Sequence, residues 1–297
     1  WPSWPPLPEP AAPAVLFRDA MLWTLSAQGT FRGDLLVRDG AIAAIGTSLE
    51  APEGALVIDA AGRHLTPGIV DCHSHSFIDG GVNEGTHSCT AEVRVADVVD
   101  AERVDIYRQL AGGVTTANLL HGSANAIGGQ NAVVQLRWGE PASRLLFEGA
   151  KAGIKFALGE NPKRSNWGHQ LEPRYPRSRS GVEELIRERF LAARNYQRSL
   201  DAWIQAEDET KAPPRVDLQL EALVEVLDGD RLVHCHSYRQ DEILAMLRLA
   251  EEFGFTVGTF QHVLEGYKVA KELAAHGAGA STFSDWWAYK FEVYDAI

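Results

Sequence analysis

From Leu65 onward the chain alternates short strand-like runs with helix-like ones, and no other feature narrows its fold as far. Strands separated by helices pair in parallel and carry those helices on the faces of the sheet. Candidate strands are Gly68 to Cys72, Val114 to Leu120, Ala132 to Arg137, Gly153 to Leu158, Arg231 to Cys235, Phe255 to Phe260 and Ala278 to Phe283. The apolar spacing between them predicts helices over Val95 to Leu110, Gly181 to Trp203, Asp241 to Phe253 and Glu265 to His276. Ser180 and Glu183 read as the capping box of the second, and Gly254 and Gly277 as the stops of the last two. The expected class is α/β, a (β/α)8 barrel over residues 65–297 with seven strands present and the eighth missing.

Ahead of it, residues 15–64 read as a small β unit, part of a β-sandwich, in which Asp39-Gly40 separates two apolar runs as a tight hairpin turn would. Residues 1–14 hold six prolines, which cannot donate to a backbone ladder, and read as an extended linker.

With 40 acidic against 28 basic residues the net charge is −12, a field that repels a phosphate backbone or an anionic membrane surface. No run reaches the ~18 consecutive apolar residues of a membrane span. A small molecule is therefore the expected partner, and neither nucleic acid nor a membrane span is. A homo-oligomer is left open. Cys72, Cys89 and Cys235 are an odd set without a disulfide framework, and in their apolar runs Cys72 and Cys235 read as buried thiols beside histidines. The chain starts on Trp1 without an initiator Met or a charged leader, so it reads as a piece of a longer protein and its compartment stays open between cytoplasm and periplasm or exterior.

The histidines carry the chemistry. In "LTPGIVDCHSHSFIDG", His73 and His75 sit two residues apart at the end of the first strand, where alternation turns both to one side. His234 and His236 end the fifth strand in the same way, and His262 follows the sixth by two residues. Neutral imidazole is the commonest metal ligand near neutral pH, and catalytic zinc sites keep an open position for water. His73, His75, His236 and His262 are the expected ligands, and His234 lies deeper in its strand, grouped with the substrate-side residues. Lys155 lies inside an apolar strand, where an ammonium is costly unless neutralised, paired or modified. Glu160, two residues past that strand, could reach the same rim as a carboxylate ligand. The glycine-rich stretch 119–137 offers His121 and Asn125 as substrate contacts at the second strand's rim, and the basic loop after Asn161 could cap the mouth of a site or simply be solvated.

Taken together, "VIDAAGRHLTPGIVDCHSHS" at 57–76, Lys155, "LVHCHS" and "FQHVLEGYKVAKELAAHG" resemble the amidohydrolase superfamily, in its imidazolonepropionase-like branch, over about residues 15–297. The resemblance implies one or two divalent metals, zinc first among them, held by His73, His75, His236 and His262. It adds a carbamylated Lys155, or Glu160 in its place, as a bridge. It implies hydrolysis of C–N bonds in amides, cyclic amides or peptide-like compounds by a metal-activated water. Members carry a proton on an Asp at the end of the eighth strand; here Asp285 comes too early, so no catalytic residue is assigned and that Asp is expected beyond Ile297. Two other readings remain. One is a heterocycle deaminase, although Ser237, Tyr238 and Arg239 follow His236 where deaminases of the superfamily show His-x-x-Glu. The other is a non-catalytic, degenerate metal-binding module.

Overall fold

Asp39 and Gly40 both adopt left-handed backbone angles, φ 51° and 72°, the geometry of a two-residue hairpin turn whose twist matches its flanking strands. They join β2 (Thr30–Arg38) to β3 (Ala41–Gly46), paired antiparallel with Arg38 opposite Ala41. β2 also pairs antiparallel with β1 (Ala14–Trp23), whose other edge takes up β4 (Leu56–Asp59) and β5 (His64–Leu65) in parallel. Ala14, Leu16 and Leu36 form the small core of this sheet. The computed structural model describes residues 13–164, 174–208, 210–283, 290, 292 and 293. The first twelve residues of the proline-rich run, part of the basic loop and Asp285 lie outside that set. The chain divides into two units, residues 1–69 with 112–115 and residues 70–111 with 116–297.

The larger unit is mixed α/β. Its wall consists of two sheets, a three-stranded one in the order β6 (Ile69–Ser74), β7 (Val114–Leu119), β9 (Ala132–Gln135) and a five-stranded one in the order β8 (Ile127–Gln130), β10 (Ala152–Ala157), β11 (Arg231–Ser237), β12 (Val257–His262), β13 (Gly279–Ser281). β10 to β13 are parallel. β8 and β9 are two halves of one run interrupted at Asn131, and they lie antiparallel to β10 and β7 respectively. The third candidate strand, β9, therefore starts at Ala132 as expected but points the other way, and β8 ahead of it is a strand the alternation did not announce. The seven residues between Leu119 and Ile127, where this run begins, have no room for a crossover helix, so the chain turns back on itself instead. Asn131 joins the halves: its Nδ2 donates to Asn118 Oδ1 at 2.6 Å and its Oδ1 accepts from the Gly153 N–H at 2.7 Å. Among the described residues the wall does not close into a barrel.

The single helix expected over Val95 to Leu110 is broken into two short elements. Val95–Val98 is a single 3-10 turn, after which the Asp100 carboxylate accepts from the Glu102 N–H at 2.9 Å and diverts the backbone before α1 (Val104–Ala111) begins. The short α2 (Ala142–Leu145) follows β9. α3 (Arg179–Ala206) is capped by Ser178, two residues ahead of the expected Ser180, and buries Val182, Leu185, Ile186, Phe190, Ala193 and Tyr196 along one stripe. Its Phe190 stacks on Phe255 with ring centres 4.6 Å apart, inside a core that also holds Phe156, Phe253 and Phe260. α4 (Leu218–Leu227), which the spacing does not announce, is capped by Asp217. α5 (Gln240–Phe253) ends on Gly254 and α6 (Ala270–His276) on Gly277, both glycines left-handed; Gly266–Val269, expected to be helix, is a 3-10 turn. No helix among the described residues is long and apolar enough to cross a membrane. Cys89 and Cys235 are buried, but Cys72 is exposed, because its neighbour His73 takes the inward position on β6.

Candidate active site

Strand alternation brings His73 inward from β6, and the chain leaving the strand carries His75 beside it, with Nε2 atoms 3.2 Å apart. The outer nitrogens of the two rings face acceptors: His73 Nδ1 lies 2.8 Å from Gln261 Oε1 and His75 Nδ1 lies 2.8 Å from the Leu120 carbonyl. From β10, Lys155 brings Nζ to 3.3 Å from His73 Nε2. The His262 ring stands 5.1 Å from that of His73 and 4.5 Å from that of His236, centre to centre. Five of the candidate residues, His73, His75, Lys155, His236 and His262, thus converge on one place.

His262 reaches it by an unusual backbone. His262 and Val263 have φ of 66° and 45°, a conformation costly for residues with a Cβ and more so for a β-branched valine. Two hydrogen bonds hold the turn, from the Val263 N–H to the Ser237 carbonyl at 2.9 Å and to the Gln261 carbonyl at 2.8 Å. The left-handed step breaks strand alternation, so Gln261 and His262, adjacent in sequence, both lie against His73.

Burial sets the electrostatics. Lys155 is 1% exposed and its ammonium is pushed down to about 7 by loss of solvent. Burial, with Lys155 nearby, holds His73 at about 2 and His262 at about 3, and burial followed by the neighbouring His262 lowers His236 as well. These rings are neutral near pH 7. His236 Nδ1 is buried and has no hydrogen-bond partner among the described residues. On its other side Asn161 Nδ2 lies 3.4 Å from Nε2, and the Tyr238 ring packs edge-on at 4.5 Å. Phe283 stacks on His262 at 4.8 Å.

The other candidates fall outside this cluster in different ways. Glu160 is buried and pairs with Lys290 at 3.8 Å rather than sitting solvated in its loop. His121 has both ring nitrogens committed to backbone: Nε2 accepts from the Glu84 N–H at 2.9 Å and Nδ1 faces the Gly122 carbonyl at 2.9 Å. Asn125 is fully buried and donates to the Glu84 carbonyl and to Thr90 Oγ1. Both hold the rim loop in shape. His234 is paired in register with Lys155 below the rim, lowered to about 4 by burial and then by that lysine. In the described part of the basic loop, Lys163 is buried against Glu292 and Glu242, and Arg174 donates to the carbonyls of His87 and Ala124, so these cations are used internally.

Gln261, Asn161, Tyr238 and Phe283 were not singled out by the sequence. Gln261 adjoins His262 in "FQHV", a signal that simple alternation turns into the wrong face.

Among the described residues, no group of three or more His, Cys, Asp or Glu side chains stands ready-arranged as a metal cage. The histidines are in two pairs, with a lysine against one of them.

No family model matches the chain. Its structure is similar to the crystal structure of an amidohydrolase from Thermotoga maritima MSB8, with a TM-score of 0.84 and 33% identity over 95% of this chain and 73% of that one. The chain belongs to the amidohydrolase superfamily. Amidohydrolase tasK of Hapsidospora irregularis is 30% identical over 94% of this chain, which spans only 33% of tasK. An imidazolonepropionase of Klebsiella pneumoniae is 40% identical over 24% of this chain and 19% of its own length.

Proposed function

We propose that this chain carries the metal-binding machinery of a hydrolase of C–N bonds in amides, cyclic amides or peptide-like compounds, with a divalent metal, zinc first, activating water. The observation that carries the reading is the pair of Nε2 atoms of His73 and His75, 3.2 Å apart with both outer nitrogens engaged elsewhere. Two neutral imidazoles facing each other through lone pairs call for a shared cation. The buried His236 Nδ1, without a partner among the described residues, adds a third donor. Neutral nitrogen donors of this kind suit zinc, with iron, manganese or nickel as alternatives.

In this reading His73, His75, His236 and His262 would hold the metal. Lys155 supports the bridging role better than Glu160, because its Nζ already lies against His73 while Glu160 is drawn to Lys290. An amine lowered to about 7 is substantially uncharged at neutral pH. Its Nζ lone pair can add to CO2 with release of one proton, which would leave a carbamate on the side chain that lies against His73. When bound there, a divalent metal would supply hydroxide near neutral pH by lowering the pKa of water to about 7, and would polarise a carbonyl oxygen. Tyr238 and Phe283 flank the cluster with apolar surface that limits access of bulk water. The proton-carrying role is assigned to no residue of this chain.

Elemental analysis of protein purified without chelator tests the reading, comparing wild type with the His73→Ala, His75→Ala double variant. Near-stoichiometric transition metal in the wild type that is lost in the double variant is the expected result. A metal-free wild type, also unable to take up added zinc, would sink it.

A further inference from the structure

The two rings of the first histidine pair present Nε2 only if their hydrogens lie on Nδ1. For His75 the backbone decides this, since its Nδ1 faces the Leu120 carbonyl, which can only accept. For His73 a side chain decides it. We propose that Gln261 is a positioning residue that fixes the Nδ1–H tautomer of His73 and thereby presents its Nε2 lone pair to the metal. The inference rests on the metal reading for its purpose, but not for its geometry.

Gln261 is 1% exposed and its Oε1 lies 2.8 Å from His73 Nδ1. An amide oxygen accepts only, so His73 must donate, and its hydrogen is held on the nitrogen away from His75. Lys155 is consistent with this, since its Nζ donates to a bare His73 Nε2 at 3.3 Å. The left-handed turn at His262 and Val263 is what makes the arrangement compatible with His262. A regular strand would present either Gln261 or His262 inward; here the turn admits both, and its two backbone hydrogen bonds hold it in place. A neutral ring without a fixed partner would divide between tautomers, and the Nε2–H form has no lone pair where the metal would sit. Partners of this kind typically matter by 10- to 100-fold in metal affinity.

The test uses the chelator-treated chain labelled with ¹⁵N at histidine, with His73 assigned by loss of its signals in His73→Gln. Long-range proton–nitrogen correlation spectra are expected to show His73 protonated at Nδ1 in the wild type and mixed or Nε2-protonated in Gln261→Leu. Gln261→Glu, which keeps an acceptor, is expected to restore the Nδ1–H form. Zinc affinity by chelator competition is expected to fall roughly 10- to 100-fold in the leucine variant and to recover in the glutamate variant. An Nε2–H His73 in the wild type overturns the proposal even if neither variant folds, as does an unchanged tautomer in folded Gln261→Leu. A wild type with the Nδ1–H tautomer and no affinity for zinc would instead overturn the metal reading and leave the positioning role standing.

Discussion

Lys155 titrates at about 7 in the folded chain and near 10.5 when unfolded, so between those values the unfolded chain binds more protons and stability rises with pH. The destabilisation from burying the ammonium is complete below pH 7 and absent above 10.5. Lys155→Met should therefore raise the urea midpoint of chelator-treated protein most near neutral pH, with the gain shrinking as the pH approaches 10.5. A variant whose advantage is the same across that range would contradict a strained ammonium. Of the five converging side chains, His73, His75, Lys155 and His236 were legible because alternation and strand ends give them direction, and His262 because it follows its strand closely. Gln261 was not, because the positive φ of its neighbours is a property of the folded backbone that neither histidine nor valine advertises.

Asn131 interrupts one run of strand and bonds to the strands on both sides of it. Removing its amide in Asn131→Ala leaves the Gly153 N–H and the Asn118 side-chain amide oxygen without those partners, a loss of about 1–3 kcal/mol. Equilibrium urea unfolding measures it, and a change below about 0.5 kcal/mol would mean the two halves of the wall are held by packing alone. Strand positions along the wall and the glycine stops of α5 and α6 could be read from periodicity and composition. The direction of the third strand could not, since apolar alternation is the same for parallel and antiparallel pairing and only the length of the link distinguishes them. The shortened first helix has a similar cause: the Asp100 carboxylate offers the backbone a turn that competes with helix and leaves the apolar spacing unchanged.

Membership in the amidohydrolase superfamily rests on likeness across nearly all of the chain, yet the larger unit departs from an all-parallel wall at one position, and that departure bears on the order in which it assembles. Leu119 pairs with Ala132 and Gln130 with Ile154, contacts separated by short stretches of chain, whereas Lys155 meets His234 only after the whole of α3 and α4 has been traversed. Closing a short loop costs less entropy than closing a long one, and local pairings form faster. In pulse-labelled hydrogen exchange during refolding, amides of β7 to β10 should gain protection before those of β11 to β13; simultaneous protection would argue for a single nucleus spanning the sheet. The reversed strand thus makes the half of the wall bearing Lys155 a local meander, a template onto which the strands bearing His236 and His262 are later laid.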